Sequence, residues 1–105
     1  MLRRLLFVAF LLISAITFSQ KSIEKVYVAP NPFTTNTKVY IQTKSPQTVY
    51  FTVKNILGKT VHSEKVVLRK GKNSIPFSKN KLKSGLYIYT IKNKSEFFSK
   101  RIVIQ

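Results

Sequence analysis

The sequence predicts an all-β domain, specifically an antiparallel immunoglobulin-like β-sandwich of about seven strands. Two observations carry this prediction. After residue 20 the apolar residues do not repeat at helical spacing, whereas β-branched and aromatic residues alternate in short runs. Seven such runs follow one another at intervals of about ten residues, which leaves no room for crossover helices.

The first three predicted strands are bounded by prolines and polar turns. The strand at residues 25–29 ends at Pro30, because proline cannot donate to a strand ladder. A polar turn leads into the strand at residues 37–43, which Ser45 and Pro46 end. The strand at residues 48–55 has the clearest alternation, which predicts one buried and one solvated face. Its expected core residues are Val49, Phe51 and Val53.

The last four predicted strands are separated by turns rich in glycine, asparagine and lysine. Residues 60–68 form a hairpin with the third strand, and Gly58 can supply a positive φ in the turn. The remaining strands are predicted at residues 73–77, 86–92 and 96–104. We expect Tyr87 and Tyr89 of the sixth strand to fill the core opposite the third strand.

The N-terminal segment differs from the rest of the chain. Arg3 and Arg4 precede an apolar run, residues 5–18, which small and polar residues close. This order is typical of a secretory signal peptide, and the run is shorter than the roughly 20 residues of a membrane-spanning helix. We predict a signal peptide at residues 1–19, a short linker at 20–25 and the folded domain at 26–105. An uncleaved membrane anchor is the alternative for the first segment.

The chain is strongly basic and contains neither cysteine nor aspartate. Its net charge is +16, and +14 once Arg3 and Arg4 leave with the signal peptide. Such a charge predicts attraction to polyanions, namely phosphorylated lipopolysaccharide, an acidic membrane surface or nucleic acid. Lysines that alternate along strands also fit a solvated face that blocks aggregation. Without disulfides, packing alone must stabilise the domain.

Catalytic and metal chemistry find few candidate residues. His62 is the one imidazole, and no aspartate exists to orient it beside a nucleophile. The three glutamates lie on separate segments, where we expect them to pair with lysines at the surface. One histidine without cysteine cannot make a zinc site, and the clustered carboxylates of a calcium loop are missing. We therefore predict no enzyme activity and no cofactor. Nucleic-acid binding is not expected either, because the aromatic-glycine pattern of an RNA-recognition sheet is absent and the predicted export signal would remove the protein from cytosolic RNA and DNA.

Four segments, called the landmark segments below, occur in a recognisable order. They are Tyr27-Val28-Ala29-Pro30-Asn31-Pro32-Phe33, then Asn55-Ile56-Leu57-Gly58-Lys59, Leu82-Lys83-Ser84-Gly85-Leu86-Tyr87-Ile88-Tyr89, and the terminal Lys100-Arg101-Ile102-Val103-Ile104-Gln105. With these segments, the chain from Val26 to its end resembles the type A C-terminal sorting domain of the type IX secretion system of Bacteroidetes.

The resemblance implies an export pathway. The signal peptide would direct passage across the inner membrane, and the folded domain would direct passage through the outer-membrane translocon. The protein would pass through the periplasm and reach the outer-membrane surface or the medium. In this family a sortase-like peptidase often removes the domain and attaches the cargo to an anionic lipopolysaccharide. After cleavage of the signal peptide, no stable transmembrane segment is expected.

The resemblance also implies which residues carry recognition. We expect the translocon to contact the exposed terminal strand, and strand addition is one physical way to bind such an edge. Each landmark residue could equally be structural, because the domain must fold before it is recognised. The predicted sorting residues are Pro30, Asn31, Pro32, Phe33, Asn55, Gly58, Lys59, Gly85, Tyr87, Tyr89, Lys100, Arg101, Ile102, Val103 and Ile104.

One feature departs from the family pattern. Sorting domains normally follow a cargo of hundreds of residues, but here only residues 20–25 separate the predicted signal peptide from the domain. Three explanations remain open: a stand-alone small surface protein, a truncated or mispredicted gene product, or a domain that acts in trans, for instance by occupying the translocon. The alternative function is that of a small basic surface protein that binds anionic lipopolysaccharide or other polyanions.

Overall fold

The protein folds as a sandwich of two antiparallel sheets, which confirms the predicted fold class. A computed structural model describes residues 21–105. The predicted signal peptide, residues 1–19, lies outside the described residues, and the first strand begins inside the predicted linker. The strands are β1 Ile23–Ala29, β2 Asn36–Thr43, β3 Gln47–Asn55, β4 Thr60–Leu68, β5 Gly71–Ser78, β6 Gly85–Lys92 and β7 Phe97–Ile104.

The sheet topology consists of three hairpins, β1–β2, β3–β4 and β6–β7, joined by three connections that cross between the sheets. One sheet has the order β1-β2-β5 and the other β4-β3-β6-β7. The short turn at residues 56–59 keeps β4 paired with β3, from Gln47 opposite Leu68 to Lys54 opposite Thr60. In a constant-type immunoglobulin domain the fourth strand lies in the sheet of the first strand. Here it is the edge strand of the other sheet.

The core lies between the two inner faces and is rich in aromatic residues. Val49, Phe51 and Val53 are fully buried, as their alternation predicted. The Phe51 ring lies 5.9 Å from that of Phe77 in the facing sheet and 6.4 Å from that of Tyr89. Tyr89 is the register partner of Val53 in the same sheet, so the expectation that it lies opposite β3 is wrong. Phe77 of β5 packs against Phe51 of β3 across the core instead, because β6 is held beside β3 by backbone pairing.

The strand directions define two ends of the sandwich. The distal end, as we call it, carries the loops at residues 30–35, 56–59 and 79–84 together with the C-terminal Gln105. The proximal end carries Ser22, where the described chain begins its first strand, and the turns that connect β2 to β3, β4 to β5 and β6 to β7. An eight-residue strand spans about 26 Å, which separates the two ends.

Both edge strands of the larger sheet carry polar side chains on their inner faces. Lys100 of β7 extends across the gap between the sheets and donates from Nζ to the Val26 carbonyl oxygen of β1 at 2.5 Å. On β4 the inner face carries His62 and Glu64, whose side chains are both about one-third exposed. Inward-pointing charged groups on edge strands disfavour pairing with another chain.

Candidate functional site

The structure brings the four landmark segments together at the distal end. Residues 30–33 follow β1, residues 55–59 form the β3–β4 turn, and residues 82–85 lead into β6. The backbone register joins the other two segments to them, since Tyr87 pairs with Asn55 on one side and with Ile102 on the other. Segments far apart in the sequence therefore lie side by side at this end.

Asn31 and Phe33 hold the outer edge of β7. The Asn31 side chain donates from Nδ2 to the Arg101 carbonyl oxygen at 3.1 Å and accepts from the Val103 amide at 3.0 Å. The Phe33 amide donates to the Val103 carbonyl oxygen at 3.0 Å, and the Gln105 amide donates to the Phe33 carbonyl oxygen at 2.8 Å. An asparagine amide can both donate and accept, so it substitutes for a strand partner here. We call this arrangement the Asn31 clasp.

The clasp differs from the expectation of an open terminal edge. Along residues 101–105, loop residues already occupy hydrogen-bonding groups of β7 that point away from β6. Phe33 anchors the loop, because its side chain is 2% exposed and its ring lies 6.0 Å from that of Phe77. A partner strand could add along this half of β7 only after the loop had moved away.

The β3–β4 turn presents two apolar side chains to solvent. Asn55 Oδ1 accepts from the amides of Leu57 and Lys59, both at 3.0 Å, and Gly58 has a φ of 84°. These bonds explain Asn55 and Gly58 as the residues that shape the turn. Ile56 is 74% and Leu57 is 88% exposed. This pair is not among the predicted sorting residues, although two aliphatic residues in a tight hairpin turn, where polar residues are usual, are a signal that the sequence contains.

The landmark segment at residues 82–89 mainly fixes the start of β6. The Tyr87 hydroxyl donates to the Lys83 carbonyl oxygen at 2.7 Å, which fixes the corner where the chain enters β6. A tyrosine that bonds a few residues upstream in this way is a known feature of immunoglobulin-like sandwiches. Gly85 begins the strand with a φ of 150°, which a residue with Cβ rarely adopts. Tyr89 is 1% exposed, and burial raises its pKa to about 12.

The sequence of the domain matches a known protein family. Residues 25–105 match the family model described as the secretion system C-terminal sorting domain. The chain belongs to this family. It is a sorting signal of the type IX secretion system, as the landmark segments predicted, and this family implies export to the cell surface or the extracellular space.

No curated protein matches the sorting domain. Among solved structures it is similar to a mutant beta-glucosidase from Listeria innocua in complex with laminaribiose, with 13% identity and a TM-score of 0.43. That match covers 79% of this chain and 16% of the beta-glucosidase chain.

Burial divides the predicted sorting residues of the domain into two groups. The side chains of the first group lie in the core, so a partner of the folded domain cannot reach them. They are Phe33, Tyr87, Tyr89, Ile102 and Ile104. The second group is at least partly exposed at or near the distal end. It comprises Pro30, Asn31, Pro32, Asn55, Gly58, Lys59, Gly85, Lys100, Arg101 and Val103. Which of them a partner contacts stays a prediction.

A groove opens beside the β3–β4 turn of the sorting domain. It has a volume of about 520 Å³ and lies between β4 and the loop at residues 79–84, with Phe77 and Leu82 in its lining. His62 also lines it, and its ring lies 5.4 Å from the rings of both Phe51 and Phe77. This groove places apolar surface at the same end as the landmark segments.

The glutamates do not pair with lysines as the sequence suggested. Glu64 Oε2 lies 2.6 Å from His62 Nε2, and within residues 21–105 no glutamate forms an ion pair with a lysine or an arginine. The pairing arises because both residues face inward on the same edge strand. In the described part of the chain, no three potential metal-ligating side chains come together. Nor does that part contain a helix with the length and apolarity that crossing a membrane requires.

At the proximal end, Glu96 fixes the start of β1. Its carboxylate accepts from the Ser22 hydroxyl at 2.6 Å, from the Ser22 amide at 3.2 Å and from the Ile23 amide at 3.1 Å. The Asn93 side chain donates to it as well, at 3.2 Å. Burial alone would raise the pKa of Glu96, but hydrogen bonds from Ser22, Asn93 and Ile23 outweigh that effect and lower it. The network holds the chain where any preceding sequence must join the domain.

Glu96 is therefore expected to give the domain an acid-sensitive contribution to stability. Because the folded-state pKa is lowered from 4.5, this contribution is present above that pH and is lost as the pH falls through the folded-state value. Glu96→Gln should destabilise the domain near neutral pH and remove this acid-side loss. Urea unfolding at neutral pH and near pH 3 measures both effects.

The matched control is Glu24→Gln, which neutralises an exposed glutamate on the neighbouring strand β1. This variant should unfold like the wild-type protein at neutral pH and should keep the acid-side loss. If Glu96→Gln loses as much stability on acidification as the wild type does, Glu96 is not the group responsible.

Proposed function

We propose that the type IX outer-membrane translocon recognises the distal end of the folded domain, after a signal peptide at residues 1–19 has directed passage into the periplasm. The convergence of the landmark segments at that end supports this proposal. Their order in the sequence gives no reason for them to meet, yet the register of β3, β6 and β7 and the Asn31 clasp place them side by side. The domain acts as a targeting signal for export and does not catalyse a reaction.

The separation of the distal and proximal ends of the sandwich suits recognition by a translocon. Any sequence that precedes the domain joins it at Ser22, at the proximal end, where Glu96 binds the backbone. A translocon bound to the distal end is about one strand length, or about 26 Å, from that junction. A sortase-like peptidase could therefore act before Ser22 while the translocon still holds the domain.

The proposed contact surface is a folded one. The Asn31 clasp keeps residues 101–105 in place, so the exposed side chains and not an open strand edge are offered to a partner. Ile56 and Leu57 are the two largely exposed aliphatic side chains of the β3–β4 turn. Burying an aliphatic side chain contributes about 1.5–3 kcal/mol, so this pair is the strongest apolar anchor at the distal end.

The absence of a catalytic role rests on the placement of His62. Its imidazole is bonded to Glu64 and packed between two phenylalanine rings, and the nearest serine in sequence, Ser63, points to the outer face. Nucleophilic catalysis needs the base within hydrogen-bond reach of the nucleophile. The geometry therefore favours a structural role for the histidine.

The proposal is tested by fusing residues 20–105 to the C-terminus of a periplasmic reporter that carries its own signal peptide. The segment contains the entire described core, from Ile23 to Ile104. In a bacterium with a working type IX system the reporter should reach the surface or the medium, and in a translocon-deficient strain it should stay in the periplasm. Periplasmic retention in both strains would exclude a sorting function for this chain.

Deleting residues 100–105 is a poor version of this test. The deletion removes Ile102 and Ile104, which are 0% and 2% exposed, together with half of a strand. An unfolded domain and an unrecognised domain would then give the same result. Substitutions of exposed side chains separate the two causes.

A further inference from the structure

The outer face of the four-stranded sheet, away from the core, carries an ordered set of side chains. Across β4, β3, β6 and β7 the register aligns them in rows. Numbered from the proximal side, and leaving out the Thr48–Val67 pair at the border, the first row is Lys65, Tyr50, Lys92 and Phe97; the middle row is Ser63, Thr52, Thr90 and Ser99; the third contains Lys54, Ile88 and Arg101. We call this surface the β4–β7 face.

The charges on the β4–β7 face have one sign. Lys65 and Lys92 flank Tyr50 in the first row, and Lys54 and Arg101 flank Ile88 in the third. None of the three rows contains a carboxylate, since Glu64 faces the core. The face therefore has a positive potential that no side chain of its own neutralises.

The spacing of the cations favours a ligand that carries several negative charges. The backbone positions of each pair are two strands apart, or about 10 Å, and the two rows are four residues apart, or about 13 Å. A single phosphate or carboxylate bound between the side chains of one pair leaves the other pair without a partner. A polymer that carries several negative charges can contact all four.

The middle row adds hydrogen-bonding capacity between the charged rows. Its four side chains, two threonines and two serines, each offer a donor and acceptor oxygen. Sugar hydroxyl groups need such partners. Tyr50 and Phe97, which are 51% and 64% exposed, provide apolar area at one border of the row.

We propose that the β4–β7 face binds an anionic polysaccharide, with its carboxylate or phosphate groups on the four cations and its sugar hydroxyls on the threonine and serine row. The family implies export to the cell surface or the extracellular space. The four cations lie outside the β3–β4 turn that is proposed as the main translocon contact, although Arg101 is also one of the predicted sorting residues.

Single-stranded nucleic acid is a less suitable ligand for this face, and the outer face of the smaller sheet is a less suitable binding surface. Single-stranded nucleic acid binds to sheets on which successive bases stack, but Tyr50 and Phe97 lie in a single row and the other two rows hold no aromatic side chain. The outer face of the smaller sheet also has tyrosines, but Tyr27 and Tyr40 stack on each other at 5.0 Å. Lys25 Nζ lies 5.1 Å above the Tyr27 ring, so that ring is engaged within the protein.

The binding test uses protein purified after export of the full chain, with immobilised polygalacturonate and phosphorylated mannan as probes. Wild-type protein should bind at least one of them, fail to bind neutral dextran, and bind more weakly as salt rises from about 0.05 to about 0.5 M. The double variant K65Q/K92Q should bind about tenfold more weakly. The double variant K38Q/K72Q removes the same charge from the other sheet and should change the affinity less than about twofold.

A second pair of substitutions separates sugar recognition from charge alone. T52V/T90V keeps the shape and charge of the face but removes two hydroxyl groups, and it should weaken polysaccharide binding while binding to polyphosphate is unchanged. The proposal is wrong if neither polysaccharide binds, if both lysine double variants lose affinity equally, if T52V/T90V binds polysaccharide like the wild type, or if a single-stranded DNA of equal charge binds more tightly.

Discussion

Phe51→Ala is expected to destabilise the domain by about 3–5 kcal/mol, because it removes a fully buried ring and leaves a cavity. The Phe51 ring contacts three others in the core, namely Phe77, Tyr89 and His62. An ordered domain of this size has an unfolding free energy of roughly 4–13 kcal/mol. The substitution therefore removes a large share of the total, and urea denaturation monitored by tyrosine fluorescence measures it.

The control for this prediction is Phe97→Ala, which makes the same chemical change at a residue that is 64% exposed. It should alter the unfolding free energy by less than about 0.5 kcal/mol. Equal losses in the two variants would mean that the aromatic cluster around Phe51 is not the centre of the core.

Asn31→Ala is expected to open the distal half of the β7 edge. The variant loses the hydrogen bonds to the Arg101 carbonyl oxygen and from the Val103 amide, which are worth about 2 kcal/mol together. Local opening of this segment should become about 30-fold more frequent. Hydrogen–deuterium exchange of the Val103 amide measures the change.

Two further substitutions test the geometry of the clasp. Asn31→Asp keeps the acceptor for the Val103 amide but sets a carboxylate oxygen against the Arg101 carbonyl oxygen, so exchange at Val103 should be faster than in the wild type. Asn36→Ala removes another distal asparagine, which accepts from the Ser78 hydroxyl at 2.7 Å and does not hold β7. Exchange at Val103 should stay at the wild-type rate in this variant. Equal exchange in Asn31→Ala and the wild type would exclude the clasp.

The strands were predictable because their signals are local. The alternation of Val49, Phe51 and Val53 and the turn residue Gly58 gave the third and fourth strands, and the observed β3 and β4 differ from the prediction by at most one residue. Local signals also gave the turns at Pro30 and Gly85. A strand can be predicted from apolar residues at every second position without knowing which strand pairs with it.

The arrangement of the candidate site depends on partners that are distant in the sequence. The sequence around Asn31 contains no sign that its side chain bonds to the backbone of Arg101 and Val103. The sequence around Glu96 likewise contains no sign that its carboxylate accepts a hydrogen bond from Ser22. The misplacement of Tyr89 has the same origin, since its position depends on the pairing of β6 with β3. The motif residues could be selected from the sequence, but their convergence at the distal end required the strand order.

Recognition of the distal end is tested by the export of two reporter fusions that carry matched surface substitutions. I56S/L57S removes the two exposed aliphatic side chains of the distal turn, and Val67→Ser removes one that is 76% exposed on β4, close to the proximal end. Both variants should keep the wild-type unfolding free energy, so that folding does not decide the result. We expect I56S/L57S to stay in the periplasm and Val67→Ser to reach the surface like the wild type. Export of I56S/L57S at the wild-type level, with Ile56 and Leu57 as the main apolar contacts proposed, would contradict recognition through the distal end.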